Sequence, residues 1–174
     1  HYTTAYDMSI LARKLLLDHK DNLLKYTSIY ETYLREDTNN PFWLVTTNKL
    51  LSSYEGMDGL KTGYTSEAGY NLTATASKNS MRLISVVMGG SSSKSRNADI
   101  TTLLNYGFNN YKSVVLYQKE SAIKEIELLN SKDKKYTITS KEDINVVLNK
   151  NENIDELIIN IKINNIDIPL YKEE

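Results

Sequence analysis

The sequence contains no cysteine, so this chain can form no disulfide and can carry no thiolate chemistry. Its two histidines, His1 and His19, are too few for a histidine-rich metal site, and we expect both to be ordinary surface residues. The net charge of -1 gives no large basic field, which argues against nucleic-acid binding. No stretch approaches the roughly 20 consecutive apolar residues that a membrane-spanning helix needs. The composition therefore indicates neither a histidine-rich metal site nor a nucleic-acid partner.

Proline and glycine are also scarce, with two and seven residues respectively. Together with a hydrophobic content of 40%, this composition predicts a folded chain with a real core rather than disorder. At 174 residues the chain suits one modest domain, or one and a half. Because His1 is not a natural start, we expect the chain to be a processed or excised piece of a longer protein.

The first part of the chain has the pattern of helices. Apolar residues at helical spacing predict a helix over residues 3–18, which Thr4 and Asp7 would cap. A second helical stretch is predicted over about 21–35, and the Asn-Asn-Pro sequence at 39–41 would end it.

The next part predicts a small antiparallel sheet and a closing helix. Residues 59–65 look extended, and the alternation over 71–76 is typical of a strand. A turn at 78–80 leads into the nearly all-apolar run 82–88, which predicts a central strand covered on both faces. Residues 100–111 form an amphipathic pattern and would close the unit as a helix. These elements are too few to cover the sheet, so we expect a further chain segment or a partner.

The pattern changes near residue 113, and the fold class that we predict is α+β with two parts. Residues 1–113 combine helices with an antiparallel sheet, and 114–174 form a separate small all-β domain. Within that domain the alternation over 157–163 predicts a strand. The Asn-Asn pair at 164–165 suits a two-residue hairpin turn, and 166–170 would return as the second strand.

Lys61-Thr62-Gly63 is the stretch with the most chemical promise. On a strand Lys61 and Gly63 point to one face and Thr62 to the other. A lysine in a cleft attracts an anion, and the threonine hydroxyl can bind a carboxylate. Gly63 has no side chain, so a substrate backbone can lie close to the strand. The tripeptide by itself is weak evidence, because an ordinary strand end can have the same residues.

The surrounding sequence is far more specific. The segments DGLKTGYTSEAGYNLTATA, MRLISVVMGG, KSR and LLNYGF closely resemble the penicillin-binding proteins of low molecular mass, the serine-type D-alanyl-D-alanine carboxypeptidases of bacterial cell-wall maturation. HYTTAYDMSILARKLL resembles the family's helix after its second active-site motif. The resemblance covers about residues 1–113 and implies a penicillin-binding-protein/β-lactamase-like fold there. The all-β tail is similar in placement to a C-terminal domain of many members.

The resemblance also implies roles for individual residues. Lys61 would stabilise charge in the active site and support proton transfer, and Thr62 would bind the terminal carboxylate of the substrate. Gly63 would let the substrate lie edge-on along the strand, and the backbone N–H of Tyr64 would form half of the oxyanion hole. Arg96, in the KSR segment, matches a family arginine that helps to hold the same carboxylate. Many members have histidine where Tyr64 stands, so the resemblance does not determine the hydrogen bonds of the Tyr64 side chain.

The family nucleophile is a serine in a Ser-x-x-Lys motif, and a Ser-x-Asn motif assists it. Several serines formally match these motifs, namely Ser91, Ser121 and Ser131 for the first and Ser77 and Ser95 for the second. We reject them because the nucleophile should open a buried helix and because both motifs precede Lys-Thr-Gly in the family. We therefore expect the nucleophile upstream of His1, and we expect the chain alone to be inactive.

The partners that the resemblance implies are peptidoglycan stem peptides, β-lactam antibiotics and the missing N-terminal portion of the same protein, either in the same chain or as a separate one. It implies no metal and no organic cofactor, and the compartment that it implies is the extracytoplasmic side of the bacterial envelope. The final YKEE is no membrane anchor, so we expect any attachment to lie outside the chain.

Two other functions remain open. A serine β-lactamase shares Lys-Thr-Gly, and a non-catalytic module that binds the cell wall could retain a degenerate site.

Overall fold

A computed structural model of the chain describes residues 2–127 and 134–162. The helices are α1 (Ala5–Thr27), α2 (Leu50–Ser53) and α3 (Ser93–Asn110), with a 3₁₀ turn at Ile154–Glu156. The strands are β1 (Glu31–Leu34), β2 (Phe42–Val45), β3 (Met57–Thr65), β4 (Gly69–Lys78), β5 (Met81–Gly90), β6 (Tyr111–Tyr117), β7 (Ala122–Glu127), β8 (Lys135–Thr139) and β9 (Ile144–Asn149). The α+β class predicted from the sequence is confirmed.

Helix α1 begins at the predicted cap. The backbone N–H of Asp7 donates to Thr4 Oγ1 at 3.1 Å, and the N–H of Thr4 donates to Asp7 Oδ2 at 3.2 Å. The helix runs on to Thr27 through a kink at His19, an exposed residue, where the sequence predicted a gap between two helices. His1 lies outside the described residues.

The helix predicted over 21–35 is wrong beyond Thr27. Residues Glu31–Leu34 instead form β1, which pairs antiparallel with β2 in the register Glu31↔Val45. Four residues are too few to show a helical or a strand period clearly, and pairing with β2, whose residues lie eight to fourteen positions farther along the chain, decided their conformation.

The main sheet has the strand order β3-β4-β5, and every pair is antiparallel. The 82–88 run was predicted to be the central strand, and that prediction is wrong: β4 is central, and β5 pairs only with β4 among the described residues. A continuous apolar run indicates that both faces of a strand are buried. It does not indicate that both edges of the strand are hydrogen-bonded to neighbouring strands. Helix α1 packs on one face of the sheet and α3 on the other, so much of the expected missing cover is present.

The core lies between the sheet and α3. Its buried members are Leu50, Met57, Leu72, Ala74, Ala76, Ile100 and Leu104. Gly107 of α3 lies directly against Leu83 of β5, where an added Cβ would stand 2.4 Å from Leu83 Cδ1. This close approach keeps α3 against the sheet and so positions the first turn of the helix, which borders the site described below.

The region after α3 contains two further strand pairs, β6 with β9 and β7 with β8. The division predicted after residue 113 falls inside β6, and it remains a prediction. The strand predicted over 157–163 is wrong for 157–162, where the described backbone forms no strand after the 3₁₀ turn. The predicted turn at 164–165 and the return strand at 166–170 lie outside the described residues.

Residues 2–127 and 134–162 contain neither a membrane-spanning helix nor a cluster of metal-binding side chains. No helix in these ranges is long and apolar enough to cross a bilayer. Nor do three or more His, Cys, Asp or Glu side chains come close enough there to hold a metal ion.

Candidate active site

A groove of about 520 Å³ runs over the C-terminal half of β3. One wall is the loop that leads into α2, and the other is the first turn of α3. The lining residues are Thr47, Lys49, Lys61, Thr62, Gly63, Tyr64, Tyr70, Ser93, Arg96 and Asn97. The structure thus brings together all the residues that the sequence analysis put forward: Lys61, Thr62, Gly63, Tyr64 and Arg96.

The strand directs Lys61 and Thr62 to opposite faces of the sheet. Lys61 is paired with Thr73 and Thr62 with Leu72, and cross-strand partners share a face. Leu72 belongs to the core against α3, so Thr62 faces the side of α3 and Arg96. Lys61 faces the side of α1. One edge of β3 pairs with no strand among the described residues, and both side chains can be reached from that edge.

A second groove of about 260 Å³ lies between α1 and the sheet, and residues 61–63 line it as well. Its other lining residues are mainly apolar, including Leu11 and Leu15 of α1. The Lys-Thr-Gly stretch is therefore a wall shared by a polar groove and an apolar one. The Lys61 ammonium donates to the carbonyl oxygen of Thr62, which holds the side chain along the strand.

Gly63 is open to the groove. A Cβ built on Gly63 would meet no atom of the described structure within 4 Å. Nothing in the packing of the described residues therefore requires glycine here, and a side chain at this position would project into open space on the face of β3 that Lys61 shares. The glycine leaves free the space that a bound peptide backbone needs.

The loop before α2 is fixed along the free edge of β3. Thr47 Oγ1 and Thr62 Oγ1 are hydrogen-bonded, and the buried Asn48 amide donates to the carbonyl oxygen of Gly59 at 3.3 Å. Sequence reasoning missed Thr47 and Lys49 as groove residues. The only signal is a short polar run, residues 46–49, between β2 and α2.

Arg96 is 4% exposed, and it enters the groove from the first turn of α3. Its guanidinium donates to Asn97 Oδ1 from Nη2 at 2.8 Å and from Nε at 3.1 Å, and Nη1 reaches the carbonyl oxygen of Asn71 at 3.5 Å. Among the described residues no carboxylate lies at ion-pair distance from it. Burial lowers the pKa of Arg96 from its usual value, although an arginine stays charged in proteins. A buried cation without a counter-ion favours an incoming anion.

Two tyrosines form one end of the groove, and Tyr70 was not foreseen from the sequence. The ring centroids of Tyr64 and Tyr70 lie 4.4 Å apart, and Tyr64 is 60% exposed. Next to them, the Asn71 amide donates to the carbonyl oxygen of Gly69 at 2.8 Å, and its Oδ1 accepts from the N–H of Gly89 at 3.0 Å. Asn71 thus ties the β3–β4 turn to the end of β5.

The serines that formally match the nucleophile motif lie away from any buried helix start. Ser91 is exposed two residues before α3, and Lys94 of the same match is exposed too. Ser121 lies in a turn before β7, with its hydroxyl donating to the carbonyl oxygen of Gln118. Ser77 is in β4, Ser95 is in the first turn of α3, and Ser131 lies outside the described residues.

Comparison with known proteins identifies the family of the chain. The model of the D-alanyl-D-alanine carboxypeptidase family, peptidase S11, matches residues 1–92. D-alanyl-D-alanine carboxypeptidase DacF of Bacillus subtilis is 42% identical over 99% of this chain, and the match covers 44% of that protein. The chain therefore spans less than half the length of this relative.

Solved structures show the same likeness. Penicillin-binding protein 5 from Haemophilus influenzae matches 87% of this chain and 43% of its own, at 30% identity and a TM-score of 0.70. A penicillin-binding protein from Listeria monocytogenes, in its cefotaxime-bound form, matches 61% of this chain and 41% of its own, at 37% identity and a TM-score of 0.55. Because the family model matches more than half of the residues, the chain belongs to the D-alanyl-D-alanine carboxypeptidases of peptidase family S11, the penicillin-binding proteins of low molecular mass.

Proposed function

We propose that this chain supplies the Lys-Thr-Gly strand of a serine-type D-alanyl-D-alanine carboxypeptidase whose nucleophile lies outside these 174 residues. The substrate is the stem peptide of peptidoglycan, from which the enzyme removes the terminal D-alanine on the extracytoplasmic side of the envelope. The observation that supports this most strongly is the meeting of Lys61, Thr62 and Arg96 in one groove.

In this proposal the terminal carboxylate of the peptide binds between the Thr62 hydroxyl and the Arg96 guanidinium. Both groups face the α3 side of the strand, and Arg96 has no carboxylate at ion-pair distance among the described residues. The hydrogen bond between Thr47 and Thr62 orients the hydroxyl that meets the substrate. The peptide backbone lies over Gly63, where the space is open.

The chemical step takes place on the side of Lys61. The serine oxygen attacks the carbonyl carbon of the bond between the two D-alanines, and the terminal D-alanine leaves with its amine protonated. Water then hydrolyses the ester. Lys61 supports the proton transfers, and the N–H of Tyr64 donates to the developing oxyanion. The serine must approach Lys61 from the α1 side, where the apolar groove is open.

β-lactam antibiotics are the second class of ligand in this proposal, since their carboxylate and strained amide resemble the end of the peptide. The relative from Listeria monocytogenes that was solved with cefotaxime supports this assignment. The same serine would form an acyl-enzyme with the drug.

The test is to incubate the complete protein and the isolated chain with a fluorescent penicillin and with a peptide ending in D-Ala-D-Ala. We expect a long-lived label and release of D-alanine from the complete protein, and neither from the isolated chain. A label on the isolated chain would overturn the placement of the nucleophile. Rapid turnover of penicillin would indicate a β-lactamase, and a complete sequence without Ser-x-x-Lys that takes no label would indicate a non-catalytic module.

A further inference from the structure

The groove carries more positive charge than the removal of a terminal D-alanine requires. Its lining includes three cations, Lys49, Lys61 and Arg96, and no acidic side chain among the described residues. Under the proposed function, Arg96 binds the terminal carboxylate and Lys61 serves the serine. Lys49 has no role in that chemistry.

Lys49 reaches the groove from a different element than Arg96. It follows Asn48, which is buried and bonded to the edge of β3, so the backbone of the loop is held in place while the Lys49 side chain remains exposed. The ammonium lies 5.5 Å from the ring centroid of Tyr30. In the part of the chain that the structure describes, no carboxylate lies at ion-pair distance from it.

The two cations line the groove from different elements. Arg96 comes from α3, on the face that Thr62 shares, and Lys49 comes from the loop beside β3. When the terminal carboxylate is bound between Thr62 and Arg96, Lys49 still has no carboxylate partner among the described residues. A ligand with a second acidic group farther along its length would fill both positions.

We propose that Lys49 forms a second anion-binding subsite, which binds a side-chain carboxylate of the peptide whose terminal carboxylate lies against Thr62 and Arg96. This inference rests on the proposed function and makes it narrower: the substrate class is an acidic peptide with at least two carboxylates. Lys49 is a specificity residue in this account and takes no part in bond breaking.

The test uses the complete protein and a matched pair of peptides that end in D-Ala-D-Ala, one with a side-chain carboxylate and one with the carboxamide in its place. Because Lys49 is exposed, its attraction for an anion is modest and screened by salt. We expect the wild type to prefer the carboxylate peptide by about three- to tenfold in kcat/KM, mainly through KM, with the preference falling as salt is raised.

Substitutions of Lys49 test whether this side chain causes the preference. Lys49→Gln should remove the preference, Lys49→Arg should keep most of it, and Lys49→Glu should reverse it. Lys20→Gln is the matched control, since it makes the same charge change on α1 outside the groove, and it should leave the preference unchanged. Thermal unfolding of each variant should match the wild type, because the Lys49 side chain is exposed.

The possible failures can be told apart. If the wild type releases D-alanine without a preference, or if Lys49→Gln retains the preference, the subsite is wrong and the proposed function stands. If the wild type releases D-alanine from neither peptide, the proposed function falls and the subsite falls with it. A Lys20→Gln effect equal to that of Lys49→Gln would show that only net charge matters, and it would also overturn the subsite.

Discussion

Arg82 and Asp58 form a two-point ion pair across the main sheet, with Nη1 2.8 Å from Oδ1 and Nη2 2.7 Å from Oδ2. Arg82 lies on β5 and Asp58 on β3, so the pair spans the central strand. The Arg82 guanidinium also donates a hydrogen bond to Thr75 Oγ1 of the central strand β4, at 2.9 Å. Asp58 stands three residues before Lys61, and the pair therefore holds the strand that carries Lys61 in register with its neighbours.

Substituting Arg82→Lys in the complete protein should lower the free energy of unfolding by about 1–3 kcal/mol, because a lysine cannot make the paired bonds to a carboxylate that is only 22% exposed. Chemical denaturation measures the change. Lys135→Gln is the control, since the Lys135–Glu125 pair is largely exposed and should cost less than about 1 kcal/mol. Equal effects of the two substitutions would show that the partly buried Arg82–Asp58 pair has no special role.

Thr62→Val should reduce kcat/KM for a D-Ala-D-Ala peptide by about ten- to hundredfold, because a hydrogen bond to a charged group is worth about 1.5–3 kcal/mol. Thr62→Ser keeps the hydroxyl and should retain most of the activity. Thr47→Val removes the partner of the Thr62 hydroxyl, and we expect a smaller loss of about three- to tenfold from misorientation. Steady-state kinetics on one peptide checks all three variants. A Thr62→Val enzyme as active as the wild type would show that Thr62 does not bind the carboxylate.

Gly63→Val should block the groove without harming the fold. A side chain at this position meets nothing within 4 Å in the described structure, and valine suits a strand. We expect an unchanged melting temperature together with a loss of penicillin acylation of at least about hundredfold, which corresponds to roughly 2.7 kcal/mol.

Gly56→Val is the contrasting variant for that experiment. Gly56 has a φ of +80°, and an added Cβ would stand 2.4 Å from the carbonyl oxygen of Ser77. This substitution should lower the melting temperature clearly, since strain at a positive φ and a backbone clash both oppose it. If Gly63→Val is the more destabilising of the two, the open space at Gly63 is filled in the complete protein by something other than substrate.

The isolated chain should bind a hydrophobic dye more strongly than the complete protein does. Leu11 on α1 is 52% exposed where it borders the apolar groove, and Phe42 and Trp43 of β2 are exposed as well. A hydrophobic dye binds to exposed apolar surface, and a further segment of the complete protein that covers such surface would reduce the binding. Dye fluorescence at equal concentration measures the difference. A clean monomer with a sharp, reversible transition and no dye binding would contradict this expectation.

Most of the helices and strands could be predicted from the sequence, because capping residues and hydrophobic periodicity mark them locally. The Thr4–Asp7 pair marks the start of α1, alternation marks β4, and the apolar residues of α3 recur at helical spacing. Lys61-Thr62-Gly63 could be placed on a strand for the same reason. The family resemblance, rather than any periodicity, put Arg96 beside that strand before the structure was known.

What the sequence determined by itself is therefore the set of helices and strands with strong periodicity, and the family. The chemistry of the Lys-Thr-Gly strand stays a prediction. Only the tertiary structure decided that residues 31–34 are a strand, that β4 is central and that Thr47, Lys49 and Tyr70 line the groove. The physical reason is that strand pairing and the path of a loop depend on contacts between residues far apart in the chain, whereas hydrophobic periodicity reports only which side of one element is covered.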